Sequence, residues 1–539
     1  MKLRLPDISS VYTEDTKYES NFSGCETYND ITLKARENDG ALDIFVTAET
    51  TPLTHLKLRF NFKDEEKRKD DFKILGDTYE RAYGTLHWEG IMPERIMTWY
   101  MLVSNGSDRN PDLTGRFTEG FGVKVQCGSF VNWQYDEAGI TLWADIRNGG
   151  SGVILNGRTL KVCSIIFSEY KNMSAFDAGK AFCAEMCPVT NLPKHKVYGS
   201  NNWYYAYGDS SQEEIISDTA LVAEHCTGLE NIPYMVIDDG WQKHMTDGPW
   251  DVLNEKFHDM KALADDMRKK GARPGIWVRY LIDEHKEIPE VKPEWYIEHN
   301  EKVLDPSVPE VIEYVKKVTK MVRSWGYELI KHDYSTYDIF GTFTPWMPYG
   351  KITKDGWHFH DRSRTSAEIV VDFYKTIQET AGEDCIIIGC NTVSHLCAGI
   401  HQLNRTGDDT SGYQWSRTRK MGVNTLAFRL IQNGSFYMAD ADCVGITGEI
   451  PWKYNRLWLD VLAKSGSPLF VSCKPGVLND AELSELKEAW KVNSIQENSS
   501  RPLDWMENKY PAYWLIDGCE TYYNWYEEKG IDSFEPIKK

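Results

Sequence analysis

The sequence predicts an α/β protein built on a (β/α)8 TIM barrel, with an antiparallel β-sandwich domain before it and a small C-terminal β domain after it. Three observations predict this. Between about Pro193 and Pro475 an apolar strand, a polar loop and an amphipathic helix recur in turn, the rhythm of a parallel sheet wrapped in helices. Ahead of that region, short segments alternate apolar and polar residues between Gly, Asn and Asp, as half-buried antiparallel strands do. At 539 residues the chain also exceeds the size at which one core keeps growing. The expected units are 1–193, 194–475 and 476–539.

In the first unit Leu42-Asp-Ile-Phe-Val-Thr47, Leu56-Lys-Leu-Arg-Phe60 and Leu160-Lys-Val-Cys-Ser-Ile-Ile166 carry the period-two pattern. One helix is expected at 174–187. This unit reads as a support. In the second, strands are expected at 197–205, 232–238, 273–279, 327–334, 385–391, 400–409, 436–442 and 467–473. Helices fit at 213–225, 261–270, 309–325, 367–381, 416–432 and 453–464. Only residues 392–399 separate the fifth and sixth strands, too few for a full helix. The loop from Ser335 to Arg364 is long and carries Trp346, Trp357, His358 and His360. It is expected to form a pocket rim or a subunit contact. In the third unit a helix at 480–490 leads to short strands at 513–516 and 521–525.

Composition narrows the function. A formal charge of −20 argues against nucleic acid or an anionic membrane surface as partner. The 19 Trp and 29 Tyr suit a large core or the apolar faces of sugars. No apolar h-region opens the chain and no run of 18 apolar residues occurs, so neither signal peptide nor membrane span is expected and the predicted location is cytoplasmic. The 12 Cys show no CxxC pair. Buried thiols in a reducing compartment are expected, with Cys226, Cys385, Cys390, Cys443 and Cys473 inside apolar runs. No phosphate loop, GxGxxG turn after a strand, Ser-His-Asp order or HExxH is present. His358 and His360 share one side of an extended segment without a third ligand, so neither metal nor cofactor is expected.

A barrel of this kind places its site at the carboxyl ends of its strands. There lie Asp238-Asp239-Gly240-Trp241, Trp277 and Arg279, Lys331 and Asp333, Cys390-Asn391, Arg405 with Asp408-Asp409, and Asp440 with Asp442. Seven acids drawn to one mouth cost electrostatic energy, which points to function. Two carboxylates are the minimum for hydrolysing a glycosidic bond. Lys331 and Asp333 are two residues apart and project to one side of a strand, so a cation beside Asp333 would favour the ionised form that a nucleophile needs. An acid catalyst must instead keep a proton, and the like-charged pair Asp408-Asp409 is suited to that. Asp238 and Asp239 can each accept from vicinal hydroxyls.

At these residues the chain resembles a family. Asn201-Asn-Trp-Tyr-Tyr-Ala-Tyr-Gly208, Tyr234-Met-Val-Ile-Asp-Asp-Gly-Trp-Gln242, Pro274-Gly-Ile-Trp-Val278, Lys331-His-Asp-Tyr334, Arg405-Thr-Gly-Asp-Asp409, Met438-Ala-Asp-Ala-Asp442 and Ser467-Pro-Leu-Phe470 look like the barrel motifs of the clan D glycoside hydrolases of families 27 and 36. The resemblance implies a retaining exo-acting α-galactosidase, with α-N-acetylgalactosaminidase or a related transglycosylase as alternatives. It implies Asp333 as nucleophile and Asp409 as acid/base, with Asp408 as the other candidate. Asp238 and Asp239 would bind O4 and O6 of the sugar and Lys331 its O3/O4 side. Trp203 and Trp277 would wall the pocket, and Arg405 and Asp442 would complete it. Asn391, with Ser394 and His395 near it, would stand where the clan reads the sugar's 2-substituent. A small-molecule or oligosaccharide substrate follows, and a homo-oligomer is compatible with it. The competing class is a sugar-binding protein without turnover.

Overall fold

The computed structural model describes residues 1–67, 71–347, 350–495 and 500–530. The amino-terminal part forms a 12-stranded antiparallel sheet. Its strands Met97–Ser104 and Phe117–Val123 are buried along their whole length, so both faces are covered there. The expected sandwich is therefore one continuous sheet curled onto itself. Phe60 and Phe167 lie on strands separated by four others in hydrogen-bonding order, which in a flat sheet would hold them roughly 24 Å apart. Their ring centroids are 5.2 Å apart. The helix Ala175–Met186, capped by Ser174, follows as expected and packs against the strand Phe117–Val123.

A parallel sheet follows. Its strands, in hydrogen-bonding order, are Met438–Asp440, Leu403–Arg405, Ile386–Gly389, Leu329–His332, Arg273–Val278, Tyr234–Ile237, Tyr198–Asn201, Leu469–Cys473 and Val444–Ile446. Both outermost segments belong to residues 438–446, so the sheet returns to the stretch of chain on which it began. Runs such as Ile386-Ile-Ile-Gly389 are buried at every residue, as strands covered on both faces must be. The helices lie close to the expected positions and carry their own boundary signals. Asp259 caps Met260–Lys270, which ends on Gly271 at φ 104°, and a Thr365/Glu368 capping box opens Ser366–Ala381. Pro309 opens Pro309–Ser324.

Every expected strand of this region is present but shorter, because the residues beyond the last ladder bond turn outward to form the site. The seventh is interrupted: Asp442 sits at φ 73° between Met438–Asp440 and Val444–Ile446, a left-handed conformation that a side chain tied on several sides can hold. Between the fifth and sixth strands only the turn Ser394–Cys397 is helical. The helix expected at 416–432 is broken into short turns, with a π-helical stretch Arg419–Val423. There Gly422 lies against Trp458, whose ring a Cβ would meet at 2.8 Å. The helix Asp480–Ile495 packs on Trp452–Lys464. A three-stranded sheet carries the buried Trp514, and Trp505 and Trp525 are buried as well. Residues 531–539 of the expected third unit lie outside the described residues.

The long loop after Asp333 is mostly structured. It starts with the helix Ser335–Phe340, and Trp357 is buried against Gly149, in the turn after the strand Gly139–Asp145 of the antiparallel sheet. His360 donates its backbone N–H to Asp305, and the His358 ring contacts Glu298. Ten of the twelve cysteines are buried free thiols, including the five expected inside apolar runs. Among the described residues no helix is long and apolar enough to cross a membrane.

Candidate active site

Asp333 follows the strand Leu329–His332 and is 8% exposed. The Trp277 indole N–H donates to its Oδ2 at 3.0 Å, and the Tyr334 backbone N–H to its Oδ1 at 2.7 Å. Tyr334 must adopt φ 64° to do so, a conformation that costs a bulky residue on the order of 1 kcal/mol and persists only when its surroundings impose it. They do: the Arg279 guanidinium lies 4.2 Å from the Tyr334 ring centroid, and Arg279 is itself fixed by a bidentate ion pair to Asp338. Trp277 is 1% exposed. It is thus a buried donor to Asp333, a role beside the pocket wall expected of it.

Lys331 does not pair with Asp333 as its spacing suggested. Its Nζ donates to Asp238 Oδ2 at 2.7 Å, where Asn201 Nδ2 also donates at 2.6 Å, and Asp238 Oδ1 accepts the Asp239 N–H at 2.9 Å. The strand from 198 supplies that amide, so neighbouring strand ends lock one another. Asp239 is different. Its Oδ1 accepts from Gln242 at 2.6 Å and from the Thr246 N–H at 2.9 Å, while its Oδ2 has no bond among the described residues. Burial pushes the Asp239 carboxyl up to about 6.

Around the sixth strand end the acids are surrounded by cations. Arg405, 2% exposed, contacts Asp442 Oδ2 at 2.8 Å and Asp409 Oδ1 at 3.3 Å. Arg417 holds Asp408 Oδ2 at 2.8 Å. Arg81, from the antiparallel sheet, reaches Asp408 Oδ1 at 2.9 Å and Asp409 Oδ1 at 3.4 Å. Burial alone would raise the Asp409 carboxyl, but Arg405, Arg81, Lys331 and Arg417 outweigh it and hold the group below the usual carboxylate range. For Asp409 this reverses the expectation that a like-charged neighbour would make it retain a proton. The like charge is there, but Arg81 and Arg417 neutralise it.

Asp442 accepts from the Tyr204 hydroxyl and from the Thr410 N–H at 2.8 Å besides Arg405. It braces the sixth and seventh strand ends through Oδ2, while its Oδ1 has no bond among the described residues. Asn391 is likewise committed. Its amide nitrogen donates to Glu80, and its oxygen accepts the Tyr337 N–H at 3.1 Å. Ser394 donates to the Tyr79 carbonyl, and His395 contacts the Val123 carbonyl while stacking on Trp99. These three side chains join the two sheets, where the sequence suggested a reader of the sugar's 2-substituent. Cys390 lies between the guanidinium groups at that strand end, 3.5 Å from Arg405 and 3.9 Å from Arg81.

Asp409 Oδ2 has no bond among the described residues, and the Asp409 side chain is 36% exposed. It opens on a cavity of about 310 Å³ lined by Tyr204, Tyr207, Ser411, Tyr413, Gln414 and Arg417 among others. Trp203, half-buried, sits 5.3 Å from the Tyr207 ring. Asp333 and Asp409 both act on one phenol: their charges, after burial, push the Tyr334 hydroxyl upward. Among the described residues no group of three or more His, Cys, Asp or Glu could hold a metal ion.

The sequence reading missed Glu80 and Arg81, Tyr204 and Tyr207, and the cavity residues Tyr413 and Arg417. The tyrosines stood inside a motif already singled out. Glu80-Arg81-Ala82-Tyr83 carried charged residues in a turn, but nothing local named partners more than 300 positions away.

No family model matches the sequence, and no curated protein does. Solved structures do resemble it. The Thermus thermophilus α-galactosidase TtGalA in complex with p-nitrophenyl α-D-galactopyranoside superposes with a TM-score of 0.60 at 15% identity, covering 92% of this chain and 97% of that one. A variant of the family 36 α-galactosidase AgaA from Geobacillus stearothermophilus, in complex with raffinose, gives 0.59 at 13% identity over 93% and 76% of the two chains. The galactosidase domain of the α-galactosidase-sucrose kinase AgaSK gives 0.53 at 14% identity over 90% and 72%. The chain therefore has, over most of its length, the fold of the family 36 α-galactosidases.

Proposed function

We propose that the protein is a retaining exo-acting α-galactosidase, with Asp333 as nucleophile and Asp409 as acid/base. The parallel sheet would be its closed (β/α)8 barrel, spanning 194–475 between the units 1–193 and 476–539. The observation that carries the reading is the pair itself. Asp333 is fixed by two donors, and Asp409, with one uncommitted oxygen, lines a cavity, at strand ends of one sheet whose fold is that of α-galactosidases. In the first half-reaction Asp333 attacks the anomeric carbon while Asp409 gives its proton to the departing oxygen. In the second, Asp409 takes a proton from the water that attacks the glycosyl ester. The carboxylate form in which the arginines hold Asp409 suits the second half; the first requires that it bind a proton. The cavity beside Asp409 would take the leaving group.

What favours Asp409 over Asp408 is that both Asp408 oxygens are held by arginines. Asp239, with a free oxygen, would accept from the sugar's hydroxyls, and Asp238 and Lys331 would act as a fixed pair beside it. Arg405 and Asp442 would brace Asp409, and Trp203 would stand at the rim. The test is hydrolysis of p-nitrophenyl α-galactoside, with the N-acetylgalactosaminide, arabinopyranoside and glucoside beside it. Asp333→Asn should lower kcat by at least about 10³-fold with an unchanged circular dichroism spectrum. Full activity in that variant would end the reading.

A further inference from the structure

The loop between the strands Lys73–Asp77 and Met97–Ser104 belongs to the antiparallel sheet but is built into the mouth of the parallel one. The Ala82 N–H donates to the Thr406 carbonyl at 2.8 Å and the Asp408 N–H to the Ala82 carbonyl at 2.9 Å. The loop thus pairs with the segment that carries Asp408 and Asp409. Arg429, fully buried and ion-paired to Asp77, donates to the Glu80 carbonyl oxygen at 2.6 Å. The Glu80 carboxylate accepts from Asn391, from the Tyr83 hydroxyl at 2.9 Å and from the Thr344 N–H at 2.8 Å. Gly84 at φ 70° closes the turn, where a Cβ would meet Lys420 at 2.2 Å. Backbone and side chains so anchored leave Arg81 one course, into the space between Asp408, Asp409 and Cys390. There its guanidinium also lies near the Phe343 and Tyr83 rings, at 5.6 and 5.9 Å.

We propose that Arg81 is a positioning residue for Asp409: it ties the Asp408–Asp409 pair to the antiparallel sheet and, together with Arg405, decides at what pH Asp409 takes up the proton it must donate. This rests on the reading of Asp409 as acid/base. Besides Arg81, the groups around Asp409 are the cations Arg405, Arg417 and Lys331, the acids Asp408 and Asp442, and the phenols Tyr204, Tyr207 and Tyr334. Of the cations in direct contact with Asp409, Arg405 comes from its own segment and Arg81 from another sheet. Arg405 also braces Asp442 and Arg81 also holds Asp408, so changing Arg81 leaves the Arg405–Asp442 brace and the Arg417 contact to Asp408 in place.

The experiment uses the full chain and p-nitrophenyl α-galactoside, and follows kcat/KM against pH in the parent, Arg81→Gln and Arg81→Lys. Arg81→Met takes the place of Arg81→Gln should that variant not fold. Losing an opposite charge within about 4 Å raises a carboxyl's proton affinity, so the alkaline limb in the charge-free variant should move to higher pH by about one unit or more. The lysine variant should keep its limb within a few tenths of a unit. A purely structural role would lower activity at every pH and leave the limb where it was, which would overturn the proposal. So would an equal displacement in Arg81→Lys. Absence of turnover in the parent on all four aryl α-glycosides would overturn the catalytic reading and this inference with it. Turnover with an unmoved limb would overturn this inference alone.

Discussion

Replacing Trp277 by Phe removes one atom group of interest, the indole N–H that reaches Asp333 Oδ2 at 3.0 Å. The bond is buried at both ends, with Trp277 1% and Asp333 8% exposed, so water screens it little. A hydrogen bond to a charged group is worth about 1.5–3 kcal/mol. If all of it serves to aim the carboxylate at the anomeric carbon, kcat/KM should fall by about 10- to 150-fold, at one decade per 1.36 kcal/mol. The smaller ring also leaves a void among Trp241, Trp250 and Tyr334, which costs stability and must be separated from catalysis. The assay is therefore initial-rate hydrolysis of the aryl α-galactoside well below the unfolding midpoint of both proteins, with active enzyme counted by trapping of the glycosyl intermediate. A value within threefold of the parent would refute the claim that the indole aims the nucleophile. Trp277 would then be the stacking wall the sequence suggested.

Three further outcomes are expected. Arg429→Met leaves Asp77 buried without its cation, so the unfolding midpoint in urea should drop by the equivalent of about 3–5 kcal/mol, with activity lost in parallel because the Arg81 loop is released; a change under about 1 kcal/mol would refute that. Asp239→Asn replaces the free oxygen by an amide and should lower kcat/KM by about 10²-fold, chiefly through KM, as steady-state kinetics would show. The parent's kcat/KM should decline from the acid side of neutrality as pH rises, because a depressed Asp409 is protonated only at low pH. Its paired form stabilises the fold above the unfolded carboxylate range and that contribution is lost as pH falls through the depressed value, so thermal denaturation against pH should show stability decreasing where activity rises.

The barrel strands were legible because covered parallel strands are apolar throughout, and their acids stood out against that background at Asp238, Asp333 and Asp409. Helix ends were legible through local chemistry, as at Asp259, Thr365 and Gly271. What stayed hidden was the choice among long-range partners. Period two placed Lys331 and Asp333 on one side of a strand, yet Lys331 turned to Asp238 on another, since a flexible four-carbon stem reaches whichever carboxylate is least satisfied. The break in the seventh strand at Asp442 depends on Tyr204, Thr410 and Arg405 acting together, and no local propensity encodes it. Arg81 lay furthest from reach. Its partner Asp409 is 328 positions away, and the supporting role assigned to its sheet gave no reason to look there.

The acids at the mouth can be sorted by what remains of their hydrogen-bonding capacity. Asp408 has an arginine on each oxygen. Asp238 is held by Lys331, Asn201 and an amide N–H, and Asp442 by Arg405, Tyr204 and Thr410. Asp408 and Asp238 are struts with both oxygens engaged, whereas the Asp442 contacts all fall on Oδ2. Asp239 and Asp409 each keep one oxygen without a partner among the described residues, and Asp333 keeps one donor per oxygen where a carboxylate oxygen can take two. Leaving such capacity open in a buried setting costs free energy that a merely structural cluster would have recovered by closing the network. Three of the carboxyl groups that keep such capacity are those a glycoside would need for attack, proton transfer and hydroxyl recognition, and the Oδ1 of Asp442 beside them is open as well among the described residues. That coincidence argues for a ligand that completes the network, and for the arginine cage as the means by which so much negative charge can wait for it.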